Sequence, residues 1–218
     1  MDSYLKTLEA AVQQYVGSPV LNRLRADPAN ALQLSRQLVE VTILFTDIRS
    51  LNDISRNTPQ DNLFDDLNVY FERMSEAIIR NNGFVDSLIG DSIFAIFGIV
   101  NGHHADDACN AAVECLRSLE EFNMGRDSRA KFETGIGINS GKVMLGNIGS
   151  KHKLKFTAVG DNVNLASRVE SLTKEYRRPI LITEYTKKLL TLDFETTELD
   201  GISIRGLDRK LIIYSIQA

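Results

Sequence analysis

The order of apolar runs and turns between residues 39 and 148 constrains this chain most. Residues 39–47 (VEVTILFTD) form a β-branched, apolar run of strand length. A helical pattern then runs from Asp61 to about Asn82, with Leu63, Leu67, Tyr70, Met74, Ala77 and Ile78 on one face. Asp61 suits its N-cap and Gly83 its end. Two short apolar runs, 84–89 and 92–97, are joined by Gly90-Asp91, which reads as a β-hairpin with glycine at the tight turn. Residues 104–123 form a second helical pattern, with Ala108, Ala111, Ala112, Cys115, Leu116 and Leu119 inward.

Two strand-like stretches follow, 131–139 and 142–148, separated by Ser140-Gly141. After a short strand at 156–159, Gly160-Asp161 opens a helix through about Tyr176, and Pro179 stands beyond its end. A strand at 180–183, a short helix at 184–190 and strands at 202–204 and 211–216 complete the chain. Strands joined by helices and hairpins in this mixed order predict an α+β fold, with a largely antiparallel sheet covered by helices.

Residues 1–38 differ from the rest. Leu5, Leu8, Val12 and Tyr15 fall near helical spacing, Gly17-Ser18-Pro19 breaks the pattern, and Asp27-Pro28 marks a turn. This predicts a helical lead-in and connector at 1–38, ahead of one functional domain at 39–218.

Charge narrows the ligand. The 218 residues hold 25 Lys+Arg against 29 Asp+Glu, and 25 − 29 gives a net charge of −4. Mild acidity argues against nucleic acid as a partner. It leaves room for a phosphate-bearing ligand whose charge magnesium or manganese neutralises. No apolar run approaches the roughly 18 residues of a membrane span, and MDSYLKTLEA lacks the apolar segment of a signal peptide. Cys109 and Cys115 form neither a CxxC pair nor a ligand set, and are expected as reduced, half-buried core residues. A cytoplasmic domain is predicted, whether or not a longer parent is attached to a membrane.

Three segments can carry chemistry. Asp47, in LFTDIRSL, ends a strand, where a carboxylate projects into the mouth of a sheet; on position alone a capping role explains it equally well. Asp91, in LIGDSIFAIFG, sits in a hairpin turn, where Asp is common for local reasons. If the hairpin and the first strand are sheet neighbours, the two carboxylates converge. Such a pair suits two hard divalent cations, which clamp the attacking and leaving oxygens of a phosphoryl transfer. In GDNVNLASR (160–168), Asn164 and Arg168 are four apart and share a helix face. Arg suits a bidentate grip on phosphate oxygens and Asn can orient a ribose, although in isolation an ordinary polar helix face is the better explanation of the pair.

Taken in order, these segments resemble the motifs of the class III nucleotidyl cyclases, from about Val39 to the C-terminus. LFTDIRSL is similar to the family's first metal motif and LIGDSIFAIFG to its second. GIGINSGKVMLGNIG resembles its central glycine-rich strand pair, and FTAVGDNVNLASRVE its transition-state-stabilising segment. The resemblance implies a ferredoxin-like βαββαβ core, extended here by the C-terminal strands. It implies a head-to-tail homodimer with two identical interfacial sites. In each, Asp47, Asp91 and the Ile48 carbonyl would hold two divalent ions, magnesium or manganese. Asn164 and Arg168 of the partner subunit would position the ribose and stabilise the pentacovalent α-phosphate. The 3′-hydroxyl of a nucleoside triphosphate attacks the α-phosphorus and pyrophosphate leaves.

Departures from the pattern bear on the substrate. The family's adenine-selecting Lys sits four residues before the second metal Asp, where this chain has Ser87; guanylyl members have Glu there. The partner position is Thr157, as in many bacterial adenylyl members. ATP is therefore the expected substrate, with GTP the alternative. A catalytically silent module that dimerises or senses nucleotide is the reading from another class. Ser50-Leu51 replace the usual Gly-Phe after the first Asp, and in SIRGLDRKL Leu207 takes the place of the family's triphosphate-binding Lys. Arg205 or Lys153 is the candidate substitute. The lead-in resembles the connector that follows a sensor domain in longer bacterial cyclases. A diguanylate cyclase is set aside, because the hairpin reads IGDSIF where that family needs GG-[DE]-EF.

Overall fold

A computed structural model describes residues 2–99, 102–126, 129–203 and 210–217. In chain order the elements are α1 (Asp2–Val16), α2 (Ser18–Ala26), β1 (Gln37–Ile48), α3 (Leu51–Asn57), α4 (Gln60–Arg80), β2 (Gly83–Ile89), β3 (Ser92–Phe97) and α5 (His104–Asn123). There follow β4 (Thr134–Ser150), β5 (Lys153–Val159), α6 (Asp161–Tyr176), β6 (Ile180–Thr183), α7 (Glu184–Leu189), β7 (Thr196–Ser203) and β8 (Lys210–Ile216).

The sheet runs β2-β3-β1-β4-β6-β8-β7, with β5 pairing on β4 alone. The β4–β6 pairing is parallel and the others are antiparallel. Read from one edge, β2-β3-β1-β4 with α4 and α5 is the expected βαββαβ arrangement, and β6, β8 and β7 extend it. Both faces of β1 are covered, which is why its sequence is a continuous apolar run rather than an alternating one. Leu44 and Ile48 pack with Tyr70 and Met74 of α4 and with Cys109 and Cys115 of α5. Val41 and Ile43 face the other way, with Phe84, Phe94, Phe156 and Ala166. On that side Gly137 lets α6 approach β4: a Cβ there would stand 2.1 Å from the Glu170 backbone nitrogen.

Several expectations shift at their edges. Helix α4 begins at Gln60 with Pro59 in the N-cap position, so Asp61 sits in the first turn, favourably placed against the helix dipole. Asn82 takes the left-handed turn after α4 (φ 61), and Gly83 opens β2. The helical pattern breaks at Gly17 (φ 96), as expected, and Ser18-Pro19 then starts a second helix, α2, because proline fits the first helical turn. The turn expected at Ser140-Gly141 is absent: β4 passes straight through. Its ladder to β1 pairs Thr42 with Ser140 and Val41 with Gly141 without interruption. Ser140 Oγ is fixed there by Thr42 at 2.7 Å and Thr186 at 3.0 Å. Helix α3 gave no recognised periodic signal. Cys109 and Cys115 are fully buried rather than half-buried, and burial pushes the Cys115 thiol up to about 12. Ile204, expected in a strand, lies outside the described residues.

One buried ion pair ties the helical layer to the loop before β4. Arg126 donates to Asp66 of α4 through two nitrogens, at 2.8 and 2.6 Å, and its guanidinium lies 4.4 Å from the Phe122 ring centre. The Arg126 hydrogen bonds, with its charge and that of Arg129, hold the Asp66 carboxyl below its ordinary range against the effect of burial. A depressed carboxylate pKa gives stability that is present above the unfolded value of 3.8 and is lost as pH falls through the folded one. Asp66→Asn is expected to cost about 2 kcal/mol at neutral pH and to flatten the acid limb of the stability profile, both measurable by denaturant melts from pH 3 to 7.

The connector is fastened to the sheet. Asn147 Nδ2 of β4 donates to the Ala31 and Gln33 carbonyls, each at 2.8 Å, and Arg23 of α2 lies 5.3 Å from the Phe156 ring centre. Among the described residues, no helix is long and apolar enough to cross a membrane.

Candidate active site

The β1–β3 ladder pairs Asp47 with Ser92, which brings the β2–β3 turn to the end of β1. Gly90 takes the first central position of that turn at φ 63, a conformation that favours glycine. Asp91 follows it, so Asp47 and Asp91 meet at one end of the sheet as the sequence suggested. Ser92 Oγ donates to Asp47 Oδ1 at 2.6 Å, and Thr134 Oγ1 donates to the Asp47 carbonyl at 2.9 Å. Burial raises the Asp47 carboxyl above its ordinary value; the Ser92 hydrogen bond opposes this, and the Asp91 charge and hydrogen bond add to it. Glu170 of α6 is pushed up to about 7 by burial, with Asp47 and Asp91 adding to the shift.

Crowded, half-buried carboxylates of this kind fit a hard divalent cation, which would relieve their mutual repulsion. Among the described residues, no group of three or more His, Cys, Asp or Glu has metal-binding geometry. A cation here would draw on Asp47, Asp91, a backbone carbonyl and the oxygens of its ligand, the pattern that magnesium favours. An isoleucine side chain has no ligand atom, so Ile48 could serve only through its backbone carbonyl. Beyond it the chain turns at Ser50, a non-glycine residue in the left-handed region (φ 56). Ser50→Gly is expected to raise stability by about 0.5–1 kcal/mol, the αL strain relieved less the extra chain entropy lost. The shift is readable in a thermal melt.

Asn164 and Arg168 lie on the exposed face of α6, opposite the buried Leu165, Ala166 and Val169. Neither side chain has a hydrogen-bond or ionic partner among the described residues, Asp47 and Asp91 included. Ser87 and Thr157 are likewise apart. Ser87 lines a cleft of about 1020 Å3 between the lead-in helices and β2, whereas Thr157 lines a separate cleft of about 580 Å3 beside the connector. Lys153 is the exposed first residue of β5, opposite Ser150. Arg205 and Leu207 lie outside the described residues.

One pair escaped the sequence reading. Asp86 occupies a register shift between Val85 and Ser87. Its side chain is fully buried and meets Lys155 Nζ at 2.6 Å. Ser87 Oγ donates to Asp86 and receives a hydrogen bond from Lys155. The available signal was strand alternation: Lys155 and Thr157 are two residues apart on β5, hence on one face.

Comparison with known proteins identifies the family. Residues 34–218 match the family model described as the adenylate and guanylate cyclase catalytic domain. The chain is 36% identical over 180 residues to the terminal-differentiation-specific adenylate cyclase of Dictyostelium discoideum, covering 81% of this chain and 8% of that protein. It is 36% identical over 187 residues to an adenylate cyclase of Anabaena cylindrica, covering 82% of this chain and 37% of that protein. Its structure is similar to that of a bacterial light-regulated adenylyl cyclase, with a TM-score of 0.86 at 26% identity, covering 98% of this chain and 63% of that one. The chain thus spans well under half the length of either sequence relative. With Asp47 and Asp91 set together at the sheet end and Asn164 and Arg168 presented on α6, the chain belongs to the adenylate and guanylate cyclase catalytic-domain family.

Proposed function

We propose that this chain converts ATP to the 3′,5′-cyclic nucleotide and pyrophosphate, at two equivalent sites formed between the subunits of a head-to-tail homodimer. The observation that carries this is the division of the machinery. One end of the sheet holds Asp91 and Asp47, the latter feeling the charge of Arg49, but neither forms an ion pair with any side chain among the described residues. Asn164 and Arg168 stand unpartnered on an exposed helix face elsewhere. A second copy, turned head to tail, supplies each half with the other.

Two divalent cations, held by Asp47, Asp91 and the Ile48 carbonyl, would supply charge neutralisation at the triphosphate. The protein's own contribution is positioning. Ser92 orients the Asp47 carboxylate through its hydrogen bond. Asn164 of the partner subunit holds the ribose so that the 3′-oxygen lies in line with the α-phosphorus. Arg168 of the partner subunit donates to the α-phosphoryl oxygens, where negative charge gathers as the 3′-oxygen bonds to phosphorus and the bond to pyrophosphate breaks. Such placement and charge complementarity dominate phosphoryl transfer.

GTP is the alternative substrate, favoured by the absence of a lysine at position 87. A silent nucleotide-sensing module is the weaker reading, because binding alone does not need the complete set of Asp47, Asp91, Asn164 and Arg168. Purified protein given manganese or magnesium with ATP or GTP, and the product identified by chromatography, tests all three. Cyclic AMP as the main product is expected. Cyclic GMP as the main product overturns the choice of base, and no cyclic product from either nucleotide overturns the enzyme. The helical lead-in at 1–38 is read as the connector to an upstream sensor in a longer parent.

A further inference from the structure

Strand β2 carries Ser87 four residues before Asp91 and offers no cation of its own there. Lys155 brings one across from β5. Its ammonium sits 2.6 Å from Asp86 Oδ2 and donates to Ser87 Oγ. The bulge at Asp86 pairs Ser87 with Phe94 and so turns Ser87 to the sheet face on which β5 packs. There Phe156 of β5 meets Phe84 of β2, ring centres 6.2 Å apart. By alternation Lys155 shares its strand face with Thr157, yet its head reaches Ser87. It thus runs from the strand face of Thr157, which lines one cleft, to Ser87, which lines the other.

We propose that Lys155, held in place by Asp86 and Ser87, reads the nucleobase of the substrate and selects adenine. The proposal rests on the cyclase reading above and names the residue that sets its specificity. An ammonium has three donors and no acceptor. Two are used by Asp86 and Ser87, which leaves one for a ligand. Adenine offers a ring-nitrogen acceptor at N1. Guanine can take the same N–H at O6, but it also carries N–H donors at N1 and N2, which need a carboxylate facing them. Asp86 cannot serve: one oxygen is engaged by Lys155 and Ser87, and the other is buried. Guanine would therefore leave buried donors unpaired, the arrangement that rejects a ligand most strongly.

The test compares kcat/KM for ATP and GTP in the full chain and in Lys155→Met, with manganese present and thermal melts alongside. ATP efficiency is expected to fall about tenfold or more, chiefly through KM, as one charge-assisted hydrogen bond is lost. GTP efficiency is expected to change little. Adding Ser87→Lys to Lys155→Met returns the cation from β2 itself and is expected to recover most of the ATP preference. An unchanged ATP-to-GTP ratio in Lys155→Met overturns the proposal. So does a wild type that prefers GTP, or an equal loss for both nucleotides with a lowered melting temperature, the signature of a structural role. If the wild type forms no cyclic product, the cyclase reading fails separately. Displacement of a fluorescent ATP analogue by ATP and by GTP then decides: selective weakening of ATP in Lys155→Met supports the base contact, and equal affinities overturn it.

Discussion

Asp47→Ala is expected to give a folded, dimerising protein whose cyclic-nucleotide formation is at least about 10³-fold below wild type, the scale of losing a main electrostatic element of a phosphoryl-transfer site. The stability side of this expectation is equally specific. The Asp47 carboxyl is raised above 3.8, chiefly by burial, with Asp91 adding. A raised carboxylate pKa means that the fold disfavours the ionised form, so above that pKa the charge costs stability. Removing it at neutral pH in a chelator should leave the melting temperature unchanged or slightly higher. Asp47→Asn sharpens the comparison, because the amide oxygen still accepts the hydrogen bond from Ser92 while the charge is gone. Manganese should raise the melting temperature of the wild type, by binding the native state alone, and leave both variants unmoved. A large drop in melting temperature for Asp47→Asn would assign Asp47 a structural role, and near-normal turnover in either variant would remove it from the site.

That pairing of lost activity with retained stability also indicates which parts of the molecule could be read from sequence. The Gly90-Asp91 hairpin and the apolar run of β1 declare themselves locally, one through turn chemistry and the other through burial on both faces. Their junction, and with it the meeting of Asp47 and Asp91, follows once they are neighbours in one sheet. Ser140-Gly141 misled for the opposite reason. Its local chemistry favours a turn, but an unbroken ladder to β1 and the Thr42 and Thr186 hydrogen bonds override it. Lys155 was missed because its role depends on a contact across 68 positions, from β5 to β2. A β-bulge at Asp86 and a strand from the far side of the sheet create that contact, and neither leaves a mark in the pattern of residues around Ser87. Asn164 and Arg168 were readable as a pair on a helix face, but their exposure without partners is a property of the folded chain. That exposure makes a second subunit the natural source of what they bind.

Subunit complementation turns that last point into a measurement. Arg168→Ala alone is expected to lower turnover by about 10³–10⁵-fold, the range in which an arginine serves a phosphoryl-transfer transition state. Asp47→Ala alone is expected to be comparably inactive. If each site takes its carboxylates from one subunit and its Asn164–Arg168 pair from the other, both lesions of a mixed dimer fall in the same site and the second site is intact. Equal amounts of the two variants, allowed to exchange subunits, give mixed dimers as about half of the total by chance pairing. Each carries one working site of two, so activity should return to about a quarter of wild type. A single-chain site has no route to such recovery, because every chain in the mixture carries one lesion. Recovery should also scale with the product of the two variant concentrations when the total is held fixed, peaking at equal amounts. A mixture that stays as inactive as its components, under conditions where exchange is shown by labelled subunits, would place the whole site within one chain and overturn the dimer.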